Sequence, residues 1–314
     1  MPVTFADVEA AAVRIAPYVH HTPVFTSAAL DEWLGATTFL KGEHLQRGGA
    51  FKYRGATNAV QSLTEEEARR GVAAHSSGNH AGALARAARA RGIPAYVVMP
   101  DSVRAVKKAA VLAYGASITS CENTPASREA TLRDVVAKTG AVEIHPYDND
   151  RVIAGAGTAA LELLQSVPDL DVVIAPVGGG GLLSGTAIAA HGVRPDVTVV
   201  GGEPALADDA AQSLGLGTIQ PARPPTTSAD GLLTALAPRT FAVLREHVAE
   251  IVTVEETEIL DAMQLVWQFT KQVIEASAAV AVAAVRKRGF DGARVGVIAS
   301  GGNVDLDPMF AVLR

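Results

Sequence analysis

Lys52 lies between an aromatic residue and a small-residue backbone, in the run Gly48-Gly49-Ala50-Phe51-Lys52-Tyr53-Arg54-Gly55-Ala56. A lysine amine in such a place can form an imine with a flat aldehyde, be displaced by an incoming amine and then act as a base. A plain surface lysine at a helix start has the same local sequence, so the reading rests on three distant segments. Ser76-Ser77-Gly78-Asn79-His80 precedes a helical stretch and offers hydroxyl and N–H groups to a carboxylate, or simply caps the helix. Gly178-Gly179-Gly180-Gly181 follows an apolar strand, and a helix begins near Leu182. Free N–H groups and the positive end of a helix suit a phosphate there, although four glycines also make an ordinary turn. A dinucleotide is disfavoured, because neither the Gly-x-Gly-x-x-Gly packing context nor an acidic partner on the next strand is clear. Ser300-Gly301-Gly302-Asn303 closes another apolar strand and puts the Ser300 hydroxyl at its end, where it can also cap a helix.

These segments occur in a fixed order with Tyr114-Gly115-Ala116-Ser117, Ile153-Ala154-Gly155 and Glu203-Pro204 between them. Over nearly the whole chain they resemble the fold type II, tryptophan-synthase-β-type pyridoxal-phosphate enzymes, most closely the serine racemase and serine/threonine dehydratase branch. The resemblance implies that Lys52 holds pyridoxal 5'-phosphate and abstracts the Cα proton, with Phe51 packed near the ring and Asn79 at the phenolic oxygen. Gly178, Gly179, Gly180, Gly181 and Leu182 would hold the phosphate, and Ser300 the pyridine nitrogen. A neutral partner on that nitrogen leaves the carbanion less delocalised, which favours loss of a β-leaving group.

By the same resemblance Ser76, Ser77, His80 and Arg128 contact the substrate. Serine racemases carry a serine where Ser77 stands, whereas many threonine dehydratases carry alanine. Racemisation needs one proton-transfer group on each face, and Lys52 and Ser77 would supply them. Arg128 is equally readable as a solvated helix arginine. Glu203, Ala207 and Asp209 match a racemase site in which two carboxylates and a backbone carbonyl hold Mg²⁺ or Ca²⁺, hard cations suited to oxygen. Asp208-Asp209 is otherwise an ordinary acidic helix start. The chain departs from the family at Gly48 and Ala50, where threonine and serine are common, and at Tyr147, where the racemases have asparagine.

The implied reaction is dehydration of L-serine, L-threonine or a related β-hydroxy amino acid to a 2-oxo acid and ammonia, with serine racemisation as a side or main activity. L-threo-3-hydroxyaspartate is an alternative substrate. A β-replacement synthase on the same fold and a non-catalytic binding protein are less favoured alternatives.

Length and composition accord with this. A chain of 314 residues exceeds what one core usually grows to. Short strand-like runs at 71–75, 95–99, 117–120 and 141–144 alternate with helical stretches such as 81–90 and 127–138, and a second series has strands at 171–177, 197–201 and 295–298. Such alternation predicts an α/β fold with two open parallel sheets. The expected division is a large domain of residues 1–64 and 145–314 with a small domain, 65–144, inserted, and the active site between them. A net charge of −6 argues against a nucleic-acid surface, and the apolar runs are too short and broken for a membrane span. Cys121 is the single cysteine, so a disulfide within the chain is excluded and a reducing cytoplasm is expected. The N-terminal helix and the helical segments of 257–288 are expected to support a homodimer.

Overall fold

The computed structural model describes residues 3–103 and 105–305. Within them the strands in chain order are β1 (Val24–Phe25), β2 (Thr37–Lys41), β3 (Val72–His75), β4 (Ala95–Pro100), β5 (Ser117–Cys121), β6 (Val142–Glu143), β7 (Val172–Pro176), β8 (Thr198–Pro204), β9 (Glu250–Val254) and β10 (Arg294–Ile298). They form a six-stranded sheet in the order β1-β2-β10-β7-β8-β9 and a four-stranded sheet in the order β5-β4-β3-β6. Every pairing is parallel except β1 with β2. β7 reads Val-Val-Ile-Ala-Pro and is buried at every position, as a strand covered by helices on both faces must be. The runs expected at 171–177, 197–201 and 295–298 are β7, β8 and β10; β2 and β9 join them at positions the sequence pattern did not single out.

Parallel pairing puts the carboxyl ends of β2, β10, β7 and β8 on one edge of the large sheet, which is where ligands bind in open α/β folds. From that edge emerge the turn at Glu43, the segment beginning at Ser300, the four glycines and the turn at Ala205–Ala207. In the small sheet, β3 leads to Ser76 to Asn79 and β6 leads to His145 and Tyr147. The helix Asp150–Ser166 packs between the helices Lys52–Gln61 and Gly181–Val193. Its approach to the latter is close enough that a Cβ on Gly185 would lie 2.5 Å from the Ile153 oxygen and 2.6 Å from the Gly157 nitrogen, so only glycine fits.

A buried ion network fixes the helix that carries Lys52. Arg54 is fully buried and donates to both oxygens of Glu43, at 2.7 and 2.8 Å, and to both oxygens of Glu162, at 2.7 and 2.8 Å. Lys41, also fully buried, donates to Glu162 Oε2 and to the Thr22 oxygen, each at 2.6 Å. The network thus joins the end of β2, the turn at Glu43, the helix Lys52–Gln61 and the helix Asp150–Ser166. Burial lowers the Lys41 amine against the pull of Glu162. Burial also pushes the Glu162 carboxyl up, but Arg54 and Lys41 outweigh it and hold the group below its ordinary value of 4.5.

Removing one member strands the others. Arg54→Met should cost about 3–5 kcal/mol in urea unfolding, because Glu43 stays buried and Glu162 half-buried without their partner. Glu162 binds its proton less readily folded than unfolded, so its contribution is present above the ordinary carboxylate range and fades as pH falls through and below it. The difference between wild type and variant should therefore shrink on acidification, and a loss under about 1 kcal/mol at neutral pH would show that the network does not hold this helix.

Candidate active site

Lys52 opens the helix Lys52–Gln61, with Phe51 as the residue before it. Its amine donates to the Pro146 oxygen at 2.9 Å and lies 5.0 Å from the centroid of the Phe51 ring. Loss of water around it brings the amine down to about 8, with the charge of Glu275 pulling the other way. A lysine so placed is partly uncharged near neutral pH, the state that attacks a carbonyl.

The other strand end meets this helix directly. Phe51 N donates to the Ser300 oxygen at 2.9 Å, Ala50 and Gly301 form an isolated antiparallel bridge, and Gly302 N donates to the Gly49 oxygen at 2.9 Å. Ser300 is 2% exposed. Asn303 Nδ2 donates to the Gly48 oxygen at 2.8 Å and to Asn79 Oδ1 at 3.0 Å. Asn79 Nδ2 in turn donates to the two oxygens of Glu275 at 2.9 and 3.2 Å, and Asn303 N donates to Glu275 at 3.1 Å. Glu275 is buried, and burial raises its carboxyl to about 7, opposed by the Asn79 and Asn303 donors. Lys52, Asn79 and Ser300, separated by up to 248 residues of chain, are thus drawn together: Phe51 N reaches the Ser300 oxygen, Asn303 bridges Gly48 and Asn79, and Asn79 rests on Glu275. Glu275 is not conspicuous in the sequence: it is an acid before an alanine-rich helix, with nothing in its surroundings to distinguish it from a cap.

The glycine run begins after β7 and ends on the first residue of the helix Gly181–Val193. Each glycine is crowded. A Cβ would come within 2.9 Å of Leu232 at Gly178, 2.5 Å of the Tyr147 ring at Gly179, 2.8 Å of Leu236 and Thr240 at Gly180, and 2.8 Å of Tyr147 at Gly181; Gly180 also has φ +86°. Thr240 Oγ1 donates to the Gly179 oxygen at 2.8 Å and so fixes the loop from outside. The unpaired N–H groups of the first helical turn, including those of Gly181 and Leu182, remain as donors at the positive end of the helix. Phosphate chemistry fits this cradle, and an aldehyde fits Lys52.

The segment after β3 forms a bend, with Ser76 and Ser77 half-buried and the helix Asn79–Arg91 starting beyond it. Ser76 Oγ accepts from Gly78 N at 3.3 Å. The His80 ring is buried, and its Nε2 donates to the Ile144 oxygen at 3.0 Å. Burial, helped by the nearby Lys52 charge, drops it to about 3, so the ring stays neutral. His80 Nδ1 is buried without a partner, and the His80 backbone N–H lies in the first helical turn. His145 Nδ1 accepts from Asp148 N at 2.9 Å, which leaves its proton on Nε2; burial, then His75, lowers it to about 4. His75, His145 and Tyr147 stack edge to face, with centroids 6.2 and 4.6 Å apart. Arg128 is half-buried beyond His75, with its Nε buried and lacking a partner and its Nη2 donating to Asn123.

Away from this cluster, Glu203 at the end of β8 and Asp209 at the start of the helix Asp209–Leu216 are each 1% exposed. Glu203 accepts from Ala210 N and Ala211 N, both at 2.8 Å, yet burial and then the nearby Asp209 carry it up to about 8. Both carboxylate oxygens of Asp209 are buried without a partner. Asp208 instead turns outward to Arg223 at 2.7 Å. Ala207 closes the intervening turn. The two unpartnered Asp209 oxygens are of the kind that suits a hard cation; among the described residues no group of three or more His, Cys, Asp or Glu side chains is arranged to hold a metal ion.

Comparison with known proteins agrees with the geometry. The chain is 48% identical over 308 residues to a beta-hydroxyaspartate dehydratase of Paracoccus denitrificans, covering 98% of both chains. It is 45% identical over 318 residues to a serine racemase of Dictyostelium discoideum, covering 99% of this chain and 98% of that one. The crystal structure of serine racemase from Dictyostelium discoideum superposes with a TM-score of 0.93 at 46% identity, over 96% of this chain and 99% of that one. The structure of maize serine racemase gives 0.95 at 41% identity, over 100% of this chain and 97% of that one. A profile described as pyridoxal-phosphate dependent enzyme matches residues 15–301, and the chain belongs to that family.

Proposed function

We propose that the protein is a pyridoxal-phosphate-dependent ammonia-lyase that removes water from a β-hydroxy amino acid, with serine racemisation at the same site. The observation that carries this is the convergence of Lys52, Asn79 and Ser300 where residues 48–51 join residues 300–303, in a chain nearly half identical to a beta-hydroxyaspartate dehydratase and to serine racemases. Bound pyridoxal phosphate supplies an aldehyde that captures the substrate amine and a conjugated ring that accepts the electron pair left at Cα.

The chain's own residues do the rest. Gly178, Gly179, Gly180, Gly181 and Leu182 would hold the phosphate, Phe51 the ring face, Asn79 the phenolic oxygen and Ser300 the pyridine nitrogen. Ser76, Ser77, the His80 N–H and Arg128 would hold the substrate carboxylate. Lys52, partly uncharged at neutral pH, takes the Cα proton. Departure of the β-hydroxyl as water and subsequent hydrolysis give a 2-oxo acid and ammonia: pyruvate from L-serine, 2-oxobutanoate from L-threonine, oxaloacetate from L-threo-3-hydroxyaspartate. Ser77 returns a proton to the other face when the substrate is racemised instead.

A divalent cation, Mg²⁺ or Ca²⁺, belongs to the same reading, held by Glu203, Asp209 and the Ala207 carbonyl and completed by water. Asp209 supports it, because two carboxylate oxygens buried without a donor are costly unless a cation faces them. The protein would act as a cytoplasmic homodimer. Residues 65–144, which contain the small sheet, would form a domain inserted between 1–64 and 145–314. Among the described residues no helix is long and apolar enough to cross a membrane.

Incubation with L-serine, L-threonine and L-threo-3-hydroxyaspartate, reading 2-oxo acid and D-serine together, tests the reaction. Oxo acid should form from at least one of them. Ser77→Ala should lower D-serine formation about 100-fold or more while elimination survives, as expected for loss of one proton-transfer group. Undiminished D-serine would remove Ser77 from that role, and no oxo acid from any substrate would favour the β-replacement alternative. For the cation, Mg²⁺ should raise the melting temperature of wild type and leave Asp209→Asn unmoved. An equal rise in both would place the metal elsewhere.

A further inference from the structure

Two histidines outside the active site face each other at the far ends of two helices. His191 lies in the last turn of the helix Gly181–Val193, and His247 ends the helix Pro238–His247. Their Nδ1 atoms are 3.3 Å apart, with ring centroids 5.3 Å apart and planes inclined at 68°. His191 Nε2 lies 3.2 Å from the Val197 oxygen, and a carbonyl only accepts, so the His191 proton is on Nε2 and its Nδ1 presents a lone pair. Both rings are half-buried, which leaves room for water.

We propose that His191 and His247 form a two-nitrogen site for a borderline divalent cation such as Zn²⁺, bound through both Nδ1 atoms and completed by water. A tetrahedral ion with metal–nitrogen bonds of about 2.0–2.1 Å sets two ligating nitrogens about 3.3–3.4 Å apart, the spacing already present. A ligating histidine commonly gives its other N–H to a backbone carbonyl, as His191 does to Val197. The negative ends of two helix dipoles meet at this point and favour a cation. When the metal binds, it takes the place of the proton on His247 Nδ1, which moves to Nε2, where Glu246 Oε1 is 3.9 Å away. No proton need leave the pair. Imidazole nitrogens select zinc, copper or nickel over magnesium and calcium, so this site and the carboxylates of Glu203 and Asp209 would take different ions.

The placement gives the site a consequence. The two helices whose ends the histidines join also meet at their other ends, where Thr240 grips the glycine loop. A bound metal would staple the pair of helices that frames the phosphate cradle.

Zn²⁺ titrated into the holoenzyme in excess Mg²⁺, followed by calorimetry and by ¹⁵N spectra of the histidine rings, tests this. The Nδ1 signals of His191 and His247 should shift together while His191 Nε2–H persists. One zinc equivalent should weaken at least tenfold in His191→Ala and in His247→Gln. The zinc-induced rise in melting temperature should vanish in both, with elimination activity unchanged. Equal zinc binding by wild type and both variants, shifts confined to other histidines, or no binding at all would each overturn the proposal. Should a variant fail to fold, the ring shifts of the wild-type protein decide alone.

Discussion

The seam between residues 48–51 and residues 300–303 is the constraint on which the site depends. Backbone hydrogen bonds from Phe51 to Ser300 and from Gly302 to Gly49, with the Asn303 side chain reaching Gly48, lock the start of one helix against the end of β10. Lys52 and Ser300 cannot drift apart while that seam holds. Asn303 then carries the connection across to Asn79 and hence to the small sheet. The buried network of Arg54, Glu43, Glu162 and Lys41 performs the matching task one helical turn further on, fixing the direction in which the Lys52 helix leaves the seam.

Burial sets the chemistry of what the seam gathers. Lys52 at about 8, Glu275 at about 7, His145 at about 4 and His80 at about 3 are all moved toward their neutral forms by loss of water. A lysine that attacks an aldehyde must be neutral at the moment of attack, and histidines that stay neutral do not compete with it for protons. Both histidines have their proton placed by the backbone: His80 gives its Nε2–H to Ile144, and His145 takes N–H groups on Nδ1. The same burial that would destabilise isolated charges is compensated by hydrogen bonds at Glu275 and by ion pairing at Arg54.

Much of this was legible in the chain. Lys52, the glycine run, Asn79 and Ser300 stand at strand ends or helix starts, positions that apolar runs and glycines mark in any sequence, but the resemblance to a known family is what singled them out among such positions. The parallel strands read correctly where they were continuous and apolar, as in β7. β2 and β9 escaped because Thr-Thr-Phe-Leu-Lys and Glu-Ile-Val-Thr-Val mix polar and apolar residues at the margins of helical stretches. Glu275, the Pro146 carbonyl and Thr240 escaped for a different reason: each acts through contacts made by folding across tens to hundreds of residues. The pairing of His191 with His247 is of the same kind, since each looks like an isolated histidine until the two helix ends meet.

The central claim is that Lys52 is the residue to which the cofactor is joined. Borohydride reduction of the purified holoenzyme, followed by mass-spectrometric peptide mapping, tests it most directly. A pyridoxyl group fixed on the peptide containing Phe51-Lys52-Tyr53, and absent from Lys52→Ala, is the expected result; a label on another lysine, or none on wild type, would contradict the account.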